Sequence, residues 1–179
     1  MRLRYLFGIF SITMTVSCAL HAAALNASPW SGQKLDKVEY SERPLALSQV
    51  INSEFKNSHF TLSSWFQMSF DNSDFVDSRL NGVQALKTRF HEVRFKNSNL
   101  AGLKCSLCVF ENVLFTNVRL DGSRFLASTF RNTSFIDSDL SRVDFINSTF
   151  ENCTLDESSA KTVHPALLKK WKLQTREVR

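Results

Sequence analysis

Every fifth residue from Leu45 onward is large and apolar, or small and uncharged. The series runs Leu45, Val50, Phe55, Phe60, Trp65, Phe70, Phe75, Leu80, Ala85, Phe90, Phe95 and Leu100, then Cys105, Phe110, Phe115, Leu120, Phe125 and Phe130. It closes with Phe135, Leu140, Phe145, Phe150, Leu155 and Ala160. None of these 24 positions carries a charge or an amide, and 13 of the 16 phenylalanines fall on them; Phe7, Phe10 and Phe66 do not. A period of five fits neither a helix of 3.6 residues per turn nor a strand of period two. It requires a chain that turns a corner every five residues and sends one large side chain inward on each side.

Two further registers agree with that reading. Two residues before most of the large positions stands a small or medium one, as at Ser53, Ser58, Ser73, Ser78, Val93, Ser98, Val113, Ser123, Ser128 and Ser138. These residues share the interior, with hydroxyls free to bond nearby backbone. Two residues after the large position, Asn, Asp or Gly occurs in 14 of 22 cases. Those types tolerate positive φ and cap their own backbone, as a corner requires. Four such units make one coil, so residues twenty apart stack. Leu80, Leu100, Leu120 and Leu140 then form one column; Phe75, Phe95, Phe115 and Phe135 a second; Phe70, Phe90, Phe110, Phe130 and Phe150 a third. The fourth column, Leu45-Trp65-Ala85-Cys105-Phe125-Phe145, is irregular, and oversized Trp65 is followed by undersized Ala85, as volume compensation predicts. Outward charges alternate at the same spacing: Asp74 with Arg94, Arg119 with Asp139, Arg124 with Asp144, and the column Asp71-His91-Glu111-Arg131-Glu151.

This pattern resembles the pentapeptide-repeat family, whose repeat is loosely A(D/N)LXX, although here Phe outnumbers Leu and Ser outnumbers Ala. The resemblance implies an all-β solenoid, a right-handed quadrilateral parallel β-helix over residues 45–160. Its 24 repeats give six coils, a rod of roughly 29 Å at about 4.8 Å per coil.

The flanks are different in kind. Residues 1–24 read as a secretory signal: Arg2 and Arg4, an uncharged apolar stretch from Leu6 to Leu20, then small Ala22, Ala23 and Ala24 for cleavage. A rival reading places a lipid on Cys18, because Thr15-Val16-Ser17-Cys18 resembles a bacterial lipobox with Thr where Leu is usual. Either places the mature chain outside the cytoplasm, in the periplasm or at the outer membrane, with secretion as the alternative. Residues 25–44 show no clear period and read as a linker or N-terminal cap, with Trp30 and Tyr40 covering the first coil. Residues 161–179 are expected to form a basic amphipathic helix or tail. Leu167, Leu168 and Trp171 share one face of Pro165–Leu173 and cap the last coil. Lys169, Lys170, Trp171 and Lys172 are the residues placed to touch a partner or anionic lipid.

Net charge locates partners poorly until it is divided. Residues 45–160 hold 11 Lys and Arg against 13 Asp and Glu, whereas residues 161–179 hold 6 basic residues against Glu177 alone. A nearly neutral rod with an export signal argues against the DNA-mimicking, topoisomerase-blocking role that the resemblance also brings with it. The short basic tail does not argue for nucleic-acid binding. Cys105 and Cys108 form a CxxC, but both fall on inward registers, so core packing is expected ahead of a disulfide or a metal site. His59, His91 and His164 share no column. No cofactor, metal, small-molecule substrate or catalytic group is expected. The reading is a non-catalytic scaffold binding other envelope proteins, one version being an accessory subunit of an outer-membrane-associated assembly such as a secretion-system core. A secreted effector or surface-binding protein is the alternative.

Overall fold

The computed structural model describes residues 30–165, 167 and 168, and the backbone of 174–175. The expected export signal with Cys18, Ala22, Ala23 and Ala24, and the tail residues Lys169, Lys170, Trp171 and Lys172, lie outside the described residues.

On three of the four sides each five-residue unit is one short strand and one corner, and on the fourth a single bridge replaces the strand. In Arg94–Lys96 the central Phe95 is buried and its two neighbours are exposed, which is the alternation a pleated strand imposes. Two residues after the inward side chain the backbone enters the left-handed region, as at Asn97 with φ 52°. The corner N–H then points along the rod, and Asn97 donates to the carbonyl of Thr116 at 3.0 Å. This geometry recurs at every corner from Gly32 to Asn152.

Pairing is parallel with a step of twenty residues. Phe95 sits opposite Phe75 on one side and Phe115 on the other. We number the four faces in chain order, by the inward columns starting at Leu35, Tyr40, Leu45 and Val50. Faces one, three and four are parallel sheets of eight, six and six strands. Face two is held by single bridges, Glu39 to His59 and so on to Asp139. Six coils result.

The interior is a set of aromatic stacks. On face four, rings of Phe70, Phe90, Phe110, Phe130 and Phe150 follow at 5.4, 4.8, 4.6 and 4.8 Å, with planes within 9° of parallel. Face one repeats this from Phe55 to Phe135. Trp65 is buried opposite Ala85 and leans across to Phe70, Phe75 and Phe90, filling the volume that Ala85 leaves. Its indole N–H finds no acceptor among the described residues.

Both ends of the repeat differ from the expected boundaries. The segment expected as a linker or cap, residues 25–44, already contains a coil: Lys34–Asp36 pairs with Glu54–Lys56, placing Leu35 opposite Phe55. Trp30, Leu35 and Tyr40 lie in the five-residue phase, and their polar neighbours hid it. With no coil beneath them these residues are only half-buried, and Trp30 packs edge-on against Tyr40 and Phe55. At the other end, regular coiling stops at Leu155. Ala160, expected as the last inward residue, lies instead in a helix, α1, Glu157–Thr162. Thus a short extra helix precedes the expected Pro165–Leu173, because Asp156 supplies an N-cap there, and Pro165, Leu167 and Leu168 of the expected segment are themselves helical. Past it, Val163 is buried and Leu167 and Leu168 pack on the core. Gln174–Thr175 adds a parallel strand to Thr154–Leu155, again twenty residues on.

Asp156 stitches the cap to the coil beneath. Its carboxylate accepts the Ser159 N–H at 3.0 Å, the Asp137 N–H at 3.2 Å and the Ser158 hydroxyl at 2.8 Å. Burial raises its pKa, but these hydrogen bonds, led by those of Ser159, outweigh it and bring the value down to about 2. A depressed carboxyl contributes stability above its unfolded pKa, and that contribution is lost as pH falls through the folded value. Asp156→Asn keeps a capping oxygen and removes the charge. It is expected to be less stable than the parent above about pH 4, with the gap closing towards pH 2. Urea titrations of both chains from pH 2 to 7 measure this; a gap that does not change with pH would sink it.

Candidate interaction surface

The repeat-core residues expected from sequence all sit inside. Phe75, Leu80, Phe90, Phe95, Leu100, Phe110, Phe115, Leu120, Phe130, Phe135 and Leu140 are buried, and Phe150, at the last coil, is partly buried. Cys105, Cys108 and Cys153 are buried free thiols. Burial and the neighbouring Cys108 push the Cys105 thiol well above its ordinary pKa, and burial raises Cys153 too, so neither favours the reactive thiolate. Among the described residues no cluster of His, Cys, Asp and Glu could hold a metal ion. His59 Nδ1 meets Glu39 at 2.8 Å, and His91 Nδ1 meets Asp71 at 3.4 Å, on different faces.

The outer surface is therefore where the chemistry lies. Much of it is a fabric of hydrogen bonds between coils. Corner amides form ladders: Asn117 donates to Asn97 at 3.0 Å, Asn97 to Asp77 at 3.1 Å, and Asn132 to Asn112 at 3.0 Å. Arg94 grips Asp74 through two bonds of 2.7 and 2.6 Å, as the twenty-residue spacing predicts. Burial slightly opposes it, but the Asp74 hydrogen bond and charge raise the Arg94 pKa further. Arg131 likewise meets its expected neighbour Glu151, whereas other expected pairs rearrange. Arg119 turns to Asp121 at 3.2 Å, while Asp139 accepts the Ser141 N–H of its own corner. Glu111 takes Arg89, at 2.9 Å, while Arg131 pairs with Glu151 at 3.3 Å. Arg124 comes only to 3.9 Å from Asp144. Exposed pairs of this kind each contribute about 0–1 kcal/mol, so they set register more than stability.

One face departs from this fabric. The large apolar residues exposed among the described ones are Leu47, Leu62, Phe66, Leu86, Leu107, Leu126 and Ile146, between 40% and 64% accessible. All seven lie on face three or on the corners that bound it. Phe66, Leu86, Leu126 and Ile146 stack in one row with Ser106 between Leu86 and Leu126. Phe66 is the one phenylalanine of the rod that falls outside the five-residue phase, and that was the sequence signal for this row. Leu47, Leu62 and Leu107 occupy corners, with φ of 53°, 57° and 55°. A leucine there is disfavoured by its Cβ and by water alike, so neither backbone nor solvent accounts for it. Leu107→Asn is expected to stabilise the rod by about 1 kcal/mol by relieving that conformation; a denaturant midpoint unchanged or lowered would contradict this.

The coil geometry, one strand or single bridge and one left-handed corner per five residues, continues unbroken from Lys34 to Leu155. Residues 88–164 match the family model described as a pentapeptide repeat region. The chain contains a pentapeptide-repeat region. No curated protein matches this chain by sequence. Solved structures it resembles include HetL, a pentapeptide repeat protein involved in heterocyst differentiation regulation from the cyanobacterium Nostoc. That likeness has 10% identity, a TM-score of 0.41, and covers 70% of this chain and 75% of that one. A pentapeptide repeat protein from the Arabidopsis thaliana thylakoid lumen is 24% identical at a TM-score of 0.33, over 63% of this chain and 65% of that one. QnrB1, a plasmid-mediated fluoroquinolone resistance protein, is 12% identical at a TM-score of 0.30, over 81% and 91%. Proteins of the pentapeptide-repeat family are generally non-catalytic structural or interaction proteins.

Proposed function

We propose that this protein is a rigid interaction scaffold of the bacterial cell envelope, holding other envelope proteins and catalysing nothing. The observation that carries the scaffold reading is the gathering of the large exposed apolar side chains, among the described residues, onto one face of the rod and its bounding corners. An apolar surface concentrated in this way marks an interaction site more than chance exposure does. The envelope location is supported by the leader: Arg2 and Arg4, an uncharged apolar stretch and Ala22-Ala23-Ala24, with Cys18 as the alternative lipidation point. An accessory role in an outer-membrane-associated assembly follows from export combined with a scaffold of this shape.

Cell fractionation tests the location. The protein is expected with the periplasmic or outer-membrane fraction, and release into the culture medium would sink the envelope reading in favour of a secreted one. The intact mass of the mature chain distinguishes cleavage after the alanines from a lipidated N-terminal Cys18.

A further inference from the structure

We propose that face three docks an acidic amphipathic helix of a partner protein. Its apolar ridge lies along the Phe66-Leu86-Leu126-Ile146 row, and its carboxylates meet Lys104 and Arg124. The inference rests on the scaffold reading and adds to it the face used and the chemistry of the partner.

Two observations converge on it. The first is the apolar row. At about 4.8 Å per coil, four steps from Phe66 to Ile146 span about 19 Å. A helix with a 5.4 Å pitch offers apolar side chains at nearly the same interval, and about 13 residues cover the row. The second is charge. Lys104 and Arg124 stand directly opposite each other in the ladder of the same face, on the other outward row. Like charges so placed are destabilising. Where like charges meet on face one, countercharges flank them: Glu54 and Asp74 lie between Lys34 and Arg94. Lys104 has Gln84 on its other side and makes no ion pair among the described residues, while Arg124 reaches Asp144 only at 3.9 Å. Two outward residues of one strand are about 7 Å apart, the offset between the apolar ridge of a helix and its flank. Carboxylates on that flank would supply the countercharge that Lys104 lacks and that Asp144 offers Arg124 only at 3.9 Å.

A second copy fits less well. Two rods joined by a two-fold along their length would lay each Lys104–Arg124 row on the other's apolar row, and a two-fold across the rod would oppose cation to cation. The chain's own basic tail carries the wrong sign.

The test uses the full chain and two dye-labelled 14-residue helical peptides. Both carry a leucine ridge; one has glutamates along the flank and the other has lysines there. Fluorescence anisotropy is expected to show the glutamate peptide binding at least tenfold more tightly. Leu126→Glu should weaken it at least tenfold, and the Lys104→Glu/Arg124→Glu pair should reverse the preference. Leu126 is 41% exposed, so its replacement leaves the core intact, which a thermal melt verifies. Equal affinity for both peptides, no binding of either, or indifference to Leu126→Glu overturns the inference. So does preferential binding to vesicles containing anionic phospholipid, or a dimer that Leu126→Glu dissociates. In cells, a photo-crosslinking residue placed at 126 should give a defined adduct and one at 96, on face one, should not. Adducts from 96 alone overturn the face-three inference and leave the scaffold standing; adducts from neither overturn both.

Discussion

Phe110→Ala is expected to cost the rod about 4 kcal/mol, the middle of the range for emptying a buried aromatic site. The ring is fully buried, sandwiched between Phe90 at 4.8 Å and Phe130 at 4.6 Å, and meets Phe125 edge-on at 5.7 Å. In a globular core the walls of such a cavity partly collapse. Here they cannot, because the strands above and below are held at ladder spacing by backbone hydrogen bonds on both sides. Coils contact only their nearest neighbours, so a weak coil in the middle also divides a solenoid into two less strongly coupled halves. Urea unfolding followed by circular dichroism should show a lower midpoint and a broader transition than the parent. A loss below about 1.5 kcal/mol, well under the usual range, would mean that the stack can close after all.

Ser78→Ala is expected to cost about 2 kcal/mol, a large effect for the removal of one oxygen. The buried Ser78 hydroxyl accepts the Ser58 N–H at 3.1 Å and donates to the carbonyl of Val76 at 2.9 Å. The Ser78 N–H in turn donates to the hydroxyl of Ser98 at 3.0 Å, so three coils are joined through one column of serines. Removing the oxygen leaves the Ser58 N–H in a dry interior without that acceptor, which is the expensive way to lose a hydrogen bond. Ser78→Thr retains the hydroxyl, and threonine is already buried in this register at Thr88 and Thr133. Its cost should be less than half that of alanine. Matched denaturant titrations measure both, and equal losses for the two substitutions would show that packing, not the hydrogen bond, governs the site.

Much of this architecture was legible in the order of residues. Phe95, Phe115 and Phe135 could be assigned to one column because an inward side chain every five residues leaves no other periodic fold available. The corner geometry was legible at Asn97 and Gly102, whose types favour positive φ. It was not legible at Leu62 or Arg142, where pairing of the flanking segments with neighbouring coils holds the backbone in a conformation the residue itself disfavours. The first coil was missed because Leu35 lies among Lys34, Asp36 and Lys37, and half-buried terminal positions tolerate such polarity. The candidate surface was hidden for a related reason. Phe66, Leu86, Leu126 and Ile146 are far apart in sequence, and each looks like an isolated apolar residue until the coils are stacked.

What the sequence determined by itself was therefore the repeating unit: five residues, one inward side chain, one corner, and a stacking distance of twenty. These are local demands, met within a strand and a turn, and they recur often enough to be read. The tertiary structure alone decided where the coiling starts and stops, which of the expected charge pairs form, and which face is apolar. Those depend on side-chain reach between coils and on the partners within that reach, as when Asp139 bonds its own corner while Arg119 turns to Asp121. Such outcomes arise only once the chain has been wound.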